Sequence, residues 1–508
     1  MAVNTTHQDY DKNRLKWKRC RDVIDGRDAV LSNGRATQRF SGTLFDPTGA
    51  GDVYLPRLSA QTVAEYAAYA ERAGFFNATG RTLDALTGMI FAKDPQWKLP
   101  PAIEPFTTDI SLSATNLREF SEQMVEQQIA VGRVGIMADY PADVPAGVTV
   151  AVAEQMNIRP FLRLYKAETI LNWRTSIVNS ARVLTMVVLQ ETLDEAENNE
   201  FVVEKDTQYR VLDLTPEGYR VRIFDDELDL KSEVYPLMRG QPMNFIPFEI
   251  LGANSCDDAV QKPPLIDLVD TNLAHYRNSA DYEHGLHFTG LPTPYVAGVQ
   301  LAEGQTLSLG SMTAWIFPDP QANVGFLEFT GAGLGALETA LKAKEQRMAV
   351  LGARMLADDK RTAEAFGTTE LKTAGERSVL ASISRSASDA MTRALNWMAR
   401  WVGAPETAEF TLNTDFGASR MQPQMLTALM GAYQGDAIPL SVLFDNLQRG
   451  EIISPTMEFE EYQTQLQDQG PSIADPMQQQ QGQQQQIDPA VAAGENNLLA
   501  TLRNRLGL

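Results

Sequence analysis

The stretch from Thr330 to Gly403 constrains the fold most, because it reads as two long helices joined by a polar loop. Leu334, Leu337, Leu341, Met348, Leu351 and Met355 recur at three- and four-residue steps, which places them on one face of a helix from Leu334 to Ala357. The connecting segment ADDKRTAEAFGTTE, residues 357 to 370, is charged and lacks apolar periodicity. Periodicity resumes in a helix from Ala374 to Val402, whose apolar side carries Leu380, Ile383, Ala387, Met391, Ala394, Leu395 and Met398. Both helices exceed the usual three turns. Two such helices around an exposed loop predict an extended shaft.

An enzyme reading attaches to the start of this stretch. FLEFTGAGLGALE, residues 326 to 338, places Gly331-x-Gly333-x-x-Ala336 between a short strand and a helix. That is the local form of a dinucleotide fingerprint, in which a helix N-terminus receives a pyrophosphate. A nucleotide-binding oxidoreductase using nicotinamide would need a second buried strand ending in an acid about 20 residues on. Asp358 and Asp359 lie at that distance, but the chain reaches them as continuous helix through MAVLGARMLADDK. The plainer reading is that the glycines end a strand and start a helix.

The chain has 508 residues, enough for two to four domains, and its 44% hydrophobic content permits a sizeable core. Cys20 and Cys256 form no metal spacing and suggest no structural disulfide, which fits a reducing compartment. The amino-terminal segment has no apolar signal region, and no apolar run is long enough to span a membrane. The net charge of −21 argues against gripping nucleic acid by broad phosphate neutralisation. It does not exclude a surface past which DNA slides.

Along the chain, residues 8 to 31 read as one amphipathic helix with a positive cluster of Lys12, Arg14, Lys16, Lys18, Arg19 and Arg21. The cluster is read as a solvated face ahead of a nucleic-acid patch. YLPRLS, 54 to 59, is a loop. Residues 59 to 95 read as two helices, the first capped by Ser59, with a break near Gly74 and Gly80. A helix over 114 to 131 precedes a strand over 132 to 141, and residues 159 to 174 form a strand and a turn ending at Trp173. An antiparallel meander follows, with strands near 182 to 191, 200 to 205, 208 to 214 and 218 to 224, and FIPFEIL adds a strand over 245 to 251. A third long helix spans 262 to 290, opened by two prolines and closed by Gly290. A proline-punctuated unit, 291 to 329, carries short strands near 295 to 299, 314 to 317 and 326 to 329. A strand at 408 to 416 and a helical region from 424 to 466, interrupted near Gly435, Pro439 and Pro455, come next. The glutamine-rich segment 467 to 488 has a composition that cannot bury a core, and 496 to 508 is a short amphipathic end that would fold on a partner.

Little here points to catalysis. Asp281, His284 and His287 share one helix near His275, and imidazole with carboxylate could bind zinc or iron. Their spacing drifts round the helix, and HExxH is absent, as are a Walker A sequence and a GxSxG elbow. Surface or packing roles suit these histidines better, and no cofactor is expected.

The order of elements resembles that of tailed-phage portal proteins, the head-to-tail connectors. More narrowly it is similar to a phage family long catalogued as a domain of unknown function and regarded as portal-like. The resemblance covers roughly residues 10 to 460. It rests on YLPR (54 to 57), NATGRTLDALTGMIFAKDP (77 to 95), NWR (172 to 174), LAHYRNSADYEHGLHFTGLPTPYVAG (273 to 298), FLEFTGAGLGAL (326 to 337), MAVLGARML and GERS (375 to 378). It implies an α+β portal fold forming a ring-shaped homo-oligomer, usually a dodecamer, at one capsid vertex. Double-stranded DNA would pass through the channel without sequence specificity, packaged by terminase, retained and later ejected. Other partners would be a head-tail adaptor and a major capsid or scaffolding protein. The protein would belong to the virion and assemble in the host cytoplasm.

On that resemblance, residues 1–261 would be a wing of helices and β meander, 262–290 a first stem helix, 291–329 a small αβ clip and 330–357 a second stem helix. A tunnel loop at 358–371, a long wing helix and strand at 372–416, a helical crown at 417–466 and a tail at 467–508 would follow. Asp358, Asp359, Lys360, Arg361, Thr362 and Lys372 would face DNA in a nearly charge-balanced tunnel loop. Gln300, Glu303, Gln305, Asp319, Gln321 and Asn323 would dock terminase and then the adaptor. The Ala/Ser-rich segment 379 to 394 offers the small flanks that helices packed side by side around an axis need. A scaffold protein without a channel is the third class considered, and it would not need the strand-rich meander.

Overall fold

The computed structural model describes residues 2–34, 54–57, 59–141, 152, 156–178, 180–195, 204–290, 293–298, 321–327, 333–354, 379–414, 416, 423–435, 437–449, 452–454 and 457–468. Contacts divide the chain into two units, Met1–Thr414 and Asp415–Leu508. Both helix and sheet are abundant, and among the described residues every strand pairing is antiparallel.

The first unit opens with α1 (Gln8–Asp25) and α2 (Arg27–Gly34), where one helix was expected. Gly26, at φ 97°, breaks it in a conformation that side chains rarely adopt. Four of the six residues of the basic cluster are paired within the fold: Lys12 with Asp9, Lys18 with Asp22, Arg19 with Asp270 and Arg21 with Glu168. Next come α3 (Val63–Arg72) and α4 (Ala78–Ile90). The cap of α3 is Thr62, in a reciprocal box with Glu65, rather than Ser59. The break falls at 73–77, where Gly74 lies, and Gly80 follows it in the first turn of α4: its N–H donates to the Asn77 cap, and a Cβ there would sit 2.8 Å from the Ile24 carbonyl oxygen.

After β1 (Gln96–Lys98), α5 (Leu117–Val131) starts at an Asn116–Glu119 capping box and stops at Gly132 in the left-handed region. The strands then follow as β2 (Arg133–Asp139), β3 (Phe161–Lys166), β4 (Ile170–Val178), β5 (Ala181–Glu195), β6 (Glu204–Thr215), β7 (Gly218–Phe224), β8 (Leu230–Val234), β9 (Leu237–Met238), β10 (Gln241–Pro242) and β11 (Phe248–Gly252). β4 to β8 form the five-stranded meander in sequence order, and β11-β2-β3 form a second sheet. The meander expected from sequence is present, with two corrections. What is described of the strands expected at 200 to 205 and 208 to 214 is one strand, β6, because the polar pair Asp206-Thr207 continues the ladder opposite Leu193 and Thr192; residues 200–203 lie outside the described residues. Trp173 does not end a turn. It lies in β4, with the His7 ring stacked 4.0 Å away and the Arg133 guanidinium 4.0 Å from its centroid.

Alternation along β5 shows how the meander is buried. Val187 and Leu189 join a core with Tyr165, Trp173, Leu212, Tyr219 and Phe248, which spans both sheets. Val188, between them, faces the opposite side with Leu171, Val211 and Phe224, where Val3 and Tyr10 pack. Glu191 sits at the sheet junction and accepts from Tyr165 Oη and Gln208 Nε2 at 2.6 Å, Arg210 Nε at 2.9 Å and Arg163 Nη1 at 3.1 Å. Burial alone would raise its pKa. Arg210, the Tyr165 hydroxyl, Arg163 and Gln208 outweigh that and hold it below the usual carboxylate value.

The remaining elements of this unit are α6 (Ile266–Gly290), β12 (Thr293–Ala297), β13 (Asn323–Leu327), α7 (Leu334–Arg354), α8 (Val379–Val402) and β14 (Glu409–Thr411). The expected strand at 314 to 317 lies outside the described residues. β14 is shorter than expected and pairs with β1, which sequence periodicity did not reveal. The second unit holds α9 (Pro423–Gln434), α10 (Leu440–Arg449) and α11 (Phe459–Asp468) around Leu426, Leu443, Phe444, Leu447 and Tyr462. Its interruptions at Gly435 and Pro439 are those read from sequence, and the third expected one, Pro455, lies outside the described residues. The expectations for 469 to 508 lie outside the described residues.

Candidate functional site

The stretch singled out by sequence resolves into helices with opposite surroundings. Every residue expected on the apolar side of α8, from Leu380 to Met398, is fully buried. Ser384, Ser386 and Ser388 are buried as well, so the small residues serve packing within the chain. This corrects the expectation that they form flanks between helices around an axis: α8 packs on α4, α5, β2, β11 and β14 of its own unit. Arg393 donates twice to the Glu249 carboxylate of β11, both at 3.0 Å. Gln128 of α5 donates to Ser386 Oγ at 2.8 Å and to the Gly252 carbonyl at 3.0 Å. α8 ends in a Schellman turn, with Ala404 N–H bonded to the Ala399 carbonyl and Gly403 N–H to the Arg400 carbonyl.

α6 and α7 make the most extensive helix–helix contact of the unit. α6 is divided along its length. Ile266, Leu268, Val269, Asn272, Leu273, His275, Tyr276, Ser279 and Ala280 are buried, whereas Leu286 and Phe288 are 40% and 46% exposed. Its inner half is tied down by polar contacts from segments that carry the family resemblance. Asn272 accepts from Thr79 N–H and Oγ1 at 3.2 and 3.0 Å and donates to the Phe76 carbonyl at 2.9 Å. Arg277 Nε donates to the Tyr54 carbonyl at 2.8 Å, and Tyr54 Oη donates to Asp22. NATG and YLPR thus anchor this helix, a role visible in no local pattern because their partners lie some 200 residues away.

α7 touches the rest through a narrow stripe. Leu341 and Met348 are buried, Leu334, Leu337 and Leu351 are half-buried, and most other positions are exposed. At its start, a Cβ on Gly285 would lie 2.6 Å from Leu334 Cδ2, so the absence of a side chain sets the approach of the two helices. Toward its end, Gly352 comes beside Thr82 of α4. His275 reaches across the pair to Glu345 at 3.3 Å and lies beside Phe76. His284 packs edge-on against Tyr69 and Phe288, and burial, with Arg72 and His287 nearby, keeps its pKa below the usual histidine value. Asp281 accepts from Tyr69 Oη at 2.6 Å. The histidines therefore fill packing roles, and among the described residues no His, Cys, Asp and Glu cluster is arranged to hold a metal ion. Burial pushes both thiols, Cys20 and Cys256, up to about 12, which leaves them unreactive at neutral pH.

Between α6 and α7 stand β12 and β13, a two-stranded antiparallel pair running from Thr293↔Leu327 to Ala297↔Asn323. It presents Tyr295, Val324 and Phe326 to solvent at 43%, 47% and 56% exposure. Of the expected docking residues, Gln321 and Asn323 are exposed at the start of β13. Gln300, Glu303, Gln305 and Asp319 lie outside the described residues, as do all six loop positions, Asp358, Asp359, Lys360, Arg361, Thr362 and Lys372. The dinucleotide reading at Gly331 to Ala336 is not supported: Gly331 lies outside the described residues, and β13 pairs antiparallel with β12. A dinucleotide fold needs parallel neighbours, and among the described residues no two strands pair in parallel. Among those residues no helix is long and apolar enough to cross a membrane.

Three comparisons bear on this region. No curated protein matches the chain. Among solved structures, the chain is similar to one from the neck of an empty GTA particle computed with C6 symmetry, at TM-score 0.36 and 13% identity over 77% of this chain and 92% of that one. It is also similar to one from the virion of a native gene transfer agent particle, at TM-score 0.35 and 13% identity over 82% and 94%. At that level no correspondence between individual elements is fixed. Residues 264–402 match the family described as Domain of unknown function (DUF4055). The resemblance read from sequence holds over this stretch: the residues that match the family model carry the helix pair, the hairpin between its members and the buried helix α8.

Proposed function

We propose that the chain is the portal subunit of a tailed-phage-like particle, a structural and non-enzymatic component whose copies close into a ring around double-stranded DNA. The observation that carries this reading is the division of α6. Its inner half is locked into the wing by Asn272 and Arg277, while its outer half, α7 and the β12–β13 hairpin keep large exposed faces in the isolated chain. A rigidly anchored helix pair with uncovered sides suits a stem that is completed by neighbouring copies. DUF4055 falls on the same residues.

In this reading residues 1–261 are the wing, 262–290 and 330–357 the stem helices, 291–329 the clip and 417–466 the crown. Terminase and then a head-tail adaptor dock on the clip through Gln300, Glu303, Gln305, Asp319, Gln321 and Asn323. Asp358 and Asp359 offset Lys360 and Arg361 in a tunnel loop completed by Thr362 and Lys372, so DNA is touched without being held. The acidic excess agrees with this, since a channel that bound phosphate strongly would stall its cargo. Native mass spectrometry of the purified chain tests the proposal. A closed ring gives one dominant species at a whole-number multiple of 56.1 kDa. A spectrum of monomers alone at every concentration would count against it. Neutralising Lys360 and Arg361 is expected to alter DNA packaging or genome retention, and unchanged behaviour in both would remove the loop's DNA role.

A further inference from the structure

Away from the helix pair, β9 and β10 form a small hairpin beside the C-terminal turn of α8. Between them lies a cleft of about 400 Å³ whose walls include Met238, Met243 and Phe245 and the side chains of Arg239 and Arg400. Met238 and Met243 are buried, so the floor is apolar. Two guanidiniums line one small cavity in a chain of net charge −21. Arg400 lies over the Phe245 ring, its Cζ 4.9 Å from the centroid, and approaches Glu406 no closer than 3.6 Å in an exposed pair. Arg239 Nε sits 3.2 Å from where a Gly403 Cβ would be. Among the described residues no carboxylate comes within ion-pair distance of Arg239.

The backbone adds to this. Arg239 and Gly240 are the two turn residues of the hairpin, at φ 54° and 75°. A two-residue turn with both φ positive favours Asn-Gly, and a long side chain at its first position costs stability. Packing does not explain the arginine, since its side chain is exposed. Leading into the hairpin, Leu230, Val234, Tyr235 and Leu237 are 50%, 38%, 39% and 54% exposed. β8 is also the last strand of the meander, so its outer edge has no strand partner among the described residues.

We infer that this cleft is an oxyanion-binding pocket that receives an exposed carboxylate side chain of a second copy of this chain, with the β8 edge and its apolar residues packing around the contact. An apolar floor, two arginines and a bordering run of large apolar residues are the composition of an interface centre. Carboxylates suit the pocket better than DNA phosphates. Acids outnumber bases 65 to 44 in each copy, so exposed carboxylates are abundant on the partner, and the alkyl stem of an Asp or Glu side chain can cover the methionine floor, which a phosphate group cannot. The inference rests on the homo-oligomer of the proposed function and names one contact that holds it together.

The test measures assembly of the full chain by mass photometry, for wild type and for R239E/R400E. Both side chains are exposed, so the variant should keep its far-UV circular dichroism, with a urea midpoint lowered only slightly by loss of the Arg400 contacts to Phe245 and Glu406. Its assembly midpoint should move to about tenfold higher concentration or beyond. Rings unchanged in the variant would overturn the pocket while leaving the ring reading intact. Wild type that never assembles would overturn both. A variant that assembles normally but binds a labelled DNA duplex more weakly would assign the pocket to phosphate and overturn the inference. Should R239E/R400E misfold, R239K treated with a carbodiimide keeps the question answerable. An amide cross-link from position 239 to a carboxylate of another copy is expected in assembled material, and its absence there would refute the contact.

Discussion

α7 and α8 are long helices of similar length from one domain, yet their environments are opposite. α8 is enclosed, with Ala387, Ala390 and Ala394 fully buried beside its larger apolar residues. α7 touches the fold along Leu341 and Met348 and leaves Ala343, Ala349 and Val350 exposed. The lesson is that helix length and an apolar stripe do not separate a core element from a wall element. What separates them is the remainder of the surface. On α8 the positions beside the stripe are Ala and Ser, which let other elements approach closely. On α7 they are mixed: Lys342, Glu345, Gln346 and Arg347 stay exposed beside Ala343, Ala349 and Val350, so the face holds small and apolar residues without covering them.

The largest test of this contrast is steric. Ala387→Leu in α8 is expected to lower unfolding free energy by about 3 kcal/mol, because the added atoms meet packed neighbours on every side. Ala343→Leu in α7 makes the same chemical change on an open face and should stay within about 0.5 kcal/mol. Urea denaturation of both decides it. Equal losses would erase the distinction.

Next in size is the anchoring of α6. Asn272→Ala removes an acceptor for the fully buried Thr79 groups and a donor to the partly buried Phe76 carbonyl. About 2 kcal/mol should be lost. Hydrogen exchange should quicken in α4 and the inner half of α6 and leave the β5–β6 ladder unaffected. Uniform acceleration would show that no local anchor exists.

The acid limb of stability sharpens the comparison further. Folded Glu191 holds its proton less tightly than it would in the unfolded chain, so the unfolded state takes up more protons on acidification. Its contribution is complete above the unfolded carboxylate value, about 4.3, and is lost as pH falls through that value toward the folded one. Glu191→Gln should therefore lower stability at pH 7 and flatten its fall below pH 5. An unchanged pH profile would rule out the four-donor site as the cause. Glu338 is also held low, by a hydrogen bond from Lys342, but both groups lie in solvent on α7. Lys342→Ala should leave the urea midpoint unchanged within error, the smallest effect of the set.

Much of this was legible from residues alone. The α8 stripe, the existence of α5 and the meander could all be read. Each is written in local spacing, where periodicity and end signals act within a few residues. The failures share a cause. The break at Gly26 interrupts a pattern that stays amphipathic on both sides. The union of two expected strands into β6 turns on polar residues that face neighbours on adjacent strands. The β1–β14 pairing and the Asn272 anchor join segments hundreds of residues apart, and no local window contains both partners. The Ala/Ser run was read correctly as a packing surface and assigned to the wrong neighbour, since small residues announce close approach without naming what approaches.

The central claim is that the uncovered faces of α6, α7 and the hairpin belong to a ring. Single-particle electron microscopy of the purified full chain tests it most directly. The account predicts closed rings with a central hole, and in the reconstruction α7 flanked by α6 and α7 of the adjacent copy. Particles no larger than a monomer or dimer, with α7 in solvent at all concentrations, would contradict it.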